Sequence, residues 1–121
     1  MKASVLFLLL ALISSEAGAQ TCASAEVRAE MTDVLGHAGE DRPVNVTFVT
    51  RADGVKVPSY LLAQYPEEMT IILQYQFDRL VVKDDRFEVE LFFKGRSERI
   101  VVPFASIRAI YDRADRKCSG D

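Results

Sequence analysis

One histidine and two cysteines in 121 residues leave little reactive chemistry for a domain of this size. The histidine, His37, lies between Gly36 and Gly39 at what reads as a helix end, where its charge would complement the helix dipole. No second histidine is present to share a metal, and no serine or cysteine stands near His37 with a third partner for nucleophilic catalysis. The cysteines form no CxxC and no Cys/His ligand spacing, which excludes a structural zinc site. There is no Gly-rich phosphate loop. Glu67 and Glu68 are adjacent, so in an extended chain they point apart and make no acid/base pair. The sequence therefore suggests no enzyme, no cofactor and no catalytic or metal-binding residue.

A basic stripe is missing too. The net charge is −3, and it stays −3 when Lys2 and Glu16 are removed with the N-terminal segment, which argues against nucleic acid as the partner. No apolar run reaches the roughly 20 residues a membrane span needs. The longest, Val5–Ile13, follows Lys2 and precedes Ala17-Gly18-Ala19, so residues 1–19 read as a signal peptide for a periplasmic or secreted protein. The other readings are an N-terminal core helix or a misplaced start codon, and the latter would leave the protein in the cytoplasm. Gln20-Thr21 precede Cys22 where a lipobox needs a small residue, so no stable membrane anchor is expected.

With 49% hydrophobic and 27% charged residues, the remainder has globular composition and room for one domain. Cys22 and Cys118 sit near the two ends of the mature chain. In an oxidising compartment they could form one bridge, worth roughly 4–5 kcal/mol in the chain-entropy model; otherwise they are two free surface thiols.

Ser24–Leu35 is helical in pattern. Ser24 can cap its start, Ala25, Val27, Met31, Val34 and Leu35 fall mostly on one stripe, and Gly36 and Gly39 end it. Short strands follow. Val44–Thr50 is β-branched and alternating, with Val44, Val46 and Phe48 on one side. Val55–Pro58 is extended, and Ser59–Gln64 makes a helical turn before Tyr65-Pro66. Pro66 cannot donate a backbone hydrogen bond, so the next strand, Met69–Gln74, begins after it. Leu80–Lys83, Arg86–Phe93, Glu98–Val102 and Arg108–Tyr111 complete the set, with a hairpin turn at Lys94–Ser97 and a helical turn at Phe104–Ile107. Residues 22–112 read as the domain, and the stretch after Asp112, 113–121, as a polar tail without a core face. The fold class is mainly β (α+β): a helix, then an antiparallel meander short and twisted enough to curl into a small half-open barrel. Asn45-Val46-Thr47 matches a glycosylation sequon but lies mid-strand.

Surface is what such a sheet offers. Ile72 and Phe92 occupy polar-phase positions of their strands, with Tyr75 and Phe77 at the connection Tyr75–Arg79. Sharing one face, they make an apolar groove beside strand edges, suited to an extended peptide. The other reading puts Ile72 and Phe92 on the inner face of a two-sided sheet under the helix.

V-P-S-Y-L-L-A-Q-Y-P-E-E-M-T-I-I-L-Q (57–74) and F-E-V-E-L-F-F-K-G-R-S-E-R-I-V-V-P-F-A-S-I (87–107) resemble the SspB family, most closely its shorter branch. In that branch V-P-x-x-L-x-x-x-Y-P-E-E-M-T-I-V-L-Q precedes F-x-V-x-L-x-F-x-G-x-P-E-R-L-x-V-P-F-x-A-I. The likeness covers roughly half of the chain. It implies a non-enzymatic adaptor with an Sm-like small β-barrel behind a helix, forming a homodimer. Such adaptors bind degradation tags, notably the ssrA tail, at polypeptide C-termini and deliver them to the ClpXP protease. By position, the implied groove residues are Ile72, Leu73, Gln74, Tyr75, Phe77 and Phe92, with Arg99 available to an acidic or C-terminal carboxylate. Ser97 stands where the family pattern has proline. The sequence runs to Asp121 without a long linker or a basic-hydrophobic docking motif, so ClpX is a weaker expectation than the tagged polypeptide. ClpXP is cytoplasmic, whereas residues 1–19 and the cysteines point elsewhere. The helix is shorter than the family usually carries, which weakens the expectation of a dimer through it.

Overall fold

In the computed structural model, residues 21–113 and 115–119 are described; the leader expected at 1–19 lies outside them. Ser24 has extended backbone, and its hydroxyl oxygen accepts from the Val27 amide at 3.2 Å. That satisfies one of the donors a helix start leaves free, and helix α1 runs Ala25–Gly36. Val27, Met31, Val34 and Leu35 are buried on its inner stripe, whereas Ala25, expected there, is exposed. Gly36 belongs to the helix and His37 ends it, its amide donating to the Val34 carbonyl at 3.1 Å.

Strand β1 (Val44–Val49) buries Val44, Val46 and Phe48 on one face, as alternation predicts. Helix α2 (Ser59–Gln64) then leads into β2 (Glu68–Leu73), which crosses to β3 (Phe77–Val82), β4 (Arg86–Phe93) and β5 (Arg96–Pro103). A 3-10 turn at Phe104–Ser106 returns the chain to β6 (Ile107–Asp112) and β7 (Asp115–Ser119).

These strands form two antiparallel sheets, ordered β2-β1-β6-β7 and β3-β4-β5. Val46, Phe48, Ile71, Leu73 and Ile110 from the first pack with Phe87, Val89, Leu91, Ile100 and Val102 from the second in one buried cluster that α1 also joins. Beyond the 104–106 turn, the connector between β1 and α2 ties onto β5 through paired backbone bonds of Lys56 and Val101, 3.0 Å each way. No ladder joins the sheets all round among the described strands. The domain is a half-open barrel, mainly β, behind a helix.

Two expectations need correction. The third strand is not Leu80–Lys83 but begins at Phe77, because its register slips between Asp78 and Val81, where Arg79 has φ 52°. The bulge breaks the period of two and hides Phe77 and Asp78 from a pattern search. The stretch after Asp112 is not a tail without a core face: Asp115–Ser119 pairs with β6 as β7, and Cys118 is buried. A strand with a buried cysteine amid charged neighbours has too little alternation to be seen. Cys118 forms a disulfide with Cys22, 96 residues earlier and just ahead of α1, with Cα atoms 5.0 Å apart.

Candidate functional site: a trough along the free edge of β2

Strand β2 pairs with β1 on one side and ends its sheet on the other. The Thr50 amide donates to the Glu67 carbonyl at 3.0 Å, which fixes the alternation of the ladder. Antiparallel pairs alternate between bonded and non-bonded positions, so Met69, Ile71 and Leu73 spend their backbone groups on β1. Glu68, Thr70 and Ile72 turn theirs toward the open edge. The side chains of these three are exposed as well, Ile72 by 56%.

Two cavities lie along this edge and share Thr70 and Phe93. The wider, about 450 Å³, is lined by Tyr60, Leu61 and Gln64 of α2, by Tyr65, and by Glu68, Met69 and Lys94. The narrower, about 220 Å³, is lined by Ile71, Ile72, Gln76, Leu91 and Phe92. Phe92, 43% exposed, donates its amide to the Gln76 carbonyl at 3.3 Å, which holds the β2–β3 connection against β4. The result is a trough of two adjoining cavities that meet at Thr70 and Phe93, with Leu61, Met69, Ile71 and Leu91 among its lining and the outward backbone groups of β2 beside it.

The residues singled out in the sequence divide. Ile72 and Phe92 meet in the narrower cavity, outside the core, so the reading that buries them under the helix is overturned. Leu73 is fully buried and faces the interior; as the inward partner of Val44 it supports the strand and presents no side chain to the trough. Gln74 donates from its side-chain amide to the Glu40 carbonyl at 3.1 Å. Tyr75 is 67% exposed but lines neither cavity. Phe77 packs partly buried against the core.

Arg99 is not available to a ligand in the way expected. It lies on the outer face of the β3-β4-β5 sheet, 3.0 Å from the Glu88 carboxylate, and donates to the Arg79 carbonyl at 3.2 Å. Arg86 and Lys83 reach the same carboxylate at 2.9 and 3.4 Å. Bonds from Arg86, then Arg99, hold the Glu88 pKa down at about 2. Alternation places Arg99 outward, but only the register Glu90↔Arg99 reveals the carboxylates that claim it.

Tyr60, Gln64, Tyr65, Gln76, Phe93 and Lys94 are lining residues that sequence pattern did not pick out. The hint was the helical turn before Pro66, whose two tyrosines are too polar for a core stripe. Near His37, Nδ1 lies 2.8 Å from the Asp33 carbonyl oxygen, a helix-end contact. Among the described residues no cluster of three metal-ligating side chains occurs, and no helix is long and apolar enough to cross a membrane.

A helix-led, half-open β-barrel with an open trough on one strand edge belongs to the class of small β domains. The family model described as Stringent starvation protein B matches residues 22–117, and the chain belongs to the SspB family. At the level of the family this is an adaptor of proteolysis and not an enzyme. No curated protein matches the chain.

Proposed function

We infer that the protein binds extended polypeptide segments, degradation tags of the ssrA type at polypeptide C-termini, in the trough beside β2, as an adaptor toward ClpXP. The observation that carries this reading is the meeting of Ile72 and Phe92 in one open cavity next to an unfilled backbone edge. Main-chain bonds to Glu68, Thr70 and Ile72 would supply affinity, and the cavities on either side of Thr70 would select side chains. No step of bond chemistry, no cofactor and no nucleic acid enters this function. Fluorescence anisotropy with an N-terminally labelled ssrA-tail peptide tests it. Saturable binding is expected, and no binding at high micromolar protein would remove the reading.

A second reading is favoured by the disulfide: an exported, periplasmic or secreted SspB-like interaction domain without protease delivery. A buried bridge between Cys22 and Cys118 suits an oxidising compartment. Mass spectrometry of the protein from its native cell distinguishes the two. A mature N-terminus near Gln20 with no free thiol supports export, and an intact Met1 with two free thiols supports a cytoplasmic adaptor.

A further inference from the structure

Strand β7 is attached unlike its neighbours. Every other strand sets at least two apolar side chains against the core, buried or partly so, whereas of the side chains described on β7 only Cys118 is buried. Asp115 and Arg116 are exposed, and Lys117 is partly so. The ladder to β6 is short and shifts register between Ile110 and Tyr111, which locally disrupts it. Arg116 lies over the Tyr111 ring and donates from Nε to the Cys118 carbonyl at 3.3 Å, so both contacts stay inside the β6–β7 hairpin. The Lys117 ammonium, 3.8 Å from the Glu30 carboxylate on α1, makes a partly exposed ion pair that adds little. Among the described residues, the one strong tie from β7 to the rest of the fold beyond β6 is the bond to Cys22.

Without that bond, β7 keeps a hairpin ladder and one thiol side chain. Burying a single thiol falls short of the entropy lost in ordering the five residues of the strand, and a hairpin ladder alone is marginal in water. Undocked, the strand carries Cys118 into water directly after Arg116 and Lys117. Adjacent cations favour the thiolate, which is the form that attacks a disulfide. Cys22 has no charged residue within two positions in sequence and sits against the core. The two thiols therefore differ in both access and reactivity.

We propose that β7 is a latch strand, docked only once the Cys22–Cys118 bond is made, and that Cys118 is the thiol that takes the bond from an external disulfide. The Cys118 thiolate attacks one sulfur of the donor, forms a mixed disulfide and releases the other donor sulfur as a thiolate. The Cys22 thiolate then attacks the Cys118 sulfur and releases the second donor sulfur. Two protein thiols are oxidised, the donor disulfide is reduced to two thiols, and the two protons end on the released sulfurs. The reduced domain is a folded barrel whose first sheet ends at β6, and oxidation covers that edge with β7. None of this depends on what the trough binds.

The test uses the full chain with Cys22→Ala, which leaves Cys118 as the only cysteine, and its counterpart Cys118→Ala. In Cys22→Ala, iodoacetamide is expected to alkylate Cys118 under native conditions within about tenfold of its rate in urea, while circular dichroism still shows a cooperative melt. Hydrogen exchange should find the amides of β7 unprotected and those of β1 and β4 protected. Oxidised glutathione should form its mixed disulfide with Cys118 faster than with Cys22 in Cys118→Ala, and added to the reduced unmodified chain it should close the bridge and protect the β7 amides. Alkylation slowed more than about tenfold, or protected β7 amides in Cys22→Ala, shows that the strand docks without the bond and overturns the inference. Failure of Cys22→Ala to fold also overturns it, because the bridge then holds the whole barrel and not β7 alone. Glutathione reacting as fast or faster at Cys22 removes Cys118 as the point of entry.

Discussion

Arg42 grips Asp112 at two points, Nε to Oδ1 at 3.0 Å and Nη2 to Oδ2 at 2.6 Å, across 70 residues of sequence. The pair fastens the loop ahead of β1 to the end of β6, and the Asp112 side chain is almost fully buried while Arg42 stays partly in water. Removing the guanidinium strands a carboxylate that folding has taken out of water. Arg42→Ala is therefore expected to lower the melting temperature by roughly 5–10 °C. Arg42→Lys, lacking the fork, should recover only part of this. Thermal unfolding followed by circular dichroism measures both.

The same contact and the Glu88 cluster set the response to acid. Bonding to Arg42 depresses the Asp112 pKa, and bonds from Arg86 and Arg99 bring Glu88 down to about 2. A depressed carboxyl binds fewer protons folded than unfolded, so its stabilisation is complete above the unfolded value, about 4. It is lost as pH falls from there toward the folded value. Stability should thus be flat near neutrality and fall between about pH 4.5 and 2. Glu88→Gln should flatten the lower part of that fall in urea titrations at stepped pH, and carbonyl-detected NMR should find Glu88 titrating at about 2.

The disulfide closes nearly the whole described chain into one loop by linking the residue ahead of α1 to β7. Its loss is expected to cost roughly 2–5 kcal/mol, chiefly by freeing the unfolded chain. Cys22→Ser/Cys118→Ser should therefore melt well below the parent, with β7 the first element to lose amide protection in hydrogen exchange. Because both cysteines are buried, dithiothreitol should reduce the native protein slowly and the urea-unfolded protein at once.

What the sequence made legible was whatever rests on a clean period. Val44, Val46 and Phe48, or Phe87, Val89 and Leu91, announce their strands because one face is wholly buried. Ser24 announces its helix because an extended hydroxyl residue before an apolar stripe has a specific bond to make. Hidden were features created by pairing. The bulge at Arg79 and the strand around Cys118 exist through register with β4 and β6, which no local pattern encodes. Of the site, Ile72 and Phe92 were visible as apolar residues out of phase. Lys94 was not, because in sequence it is an ordinary turn lysine, and only the fold brings it beside α2 in the wider cavity.

Leu73 and Ile72 are adjacent on β2 and should fail in opposite ways. Leu73 is fully buried against the core, so Leu73→Ala removes packed volume and should cost roughly 2–5 kcal/mol of stability. Any loss of peptide binding in that variant should track the unfolded fraction and disappear on cooling. Ile72 packs little and borders the trough, so Ile72→Ser should leave the melting temperature within about 2 °C of the parent. Binding of the labelled tag peptide should weaken at least roughly fivefold, since about 1 kcal/mol of apolar contact is at stake. Phe92→Ser should repeat that pattern from the opposite wall. If Ile72→Ser and Phe92→Ser both bind as the parent does, the trough beside β2 is not where the peptide lies.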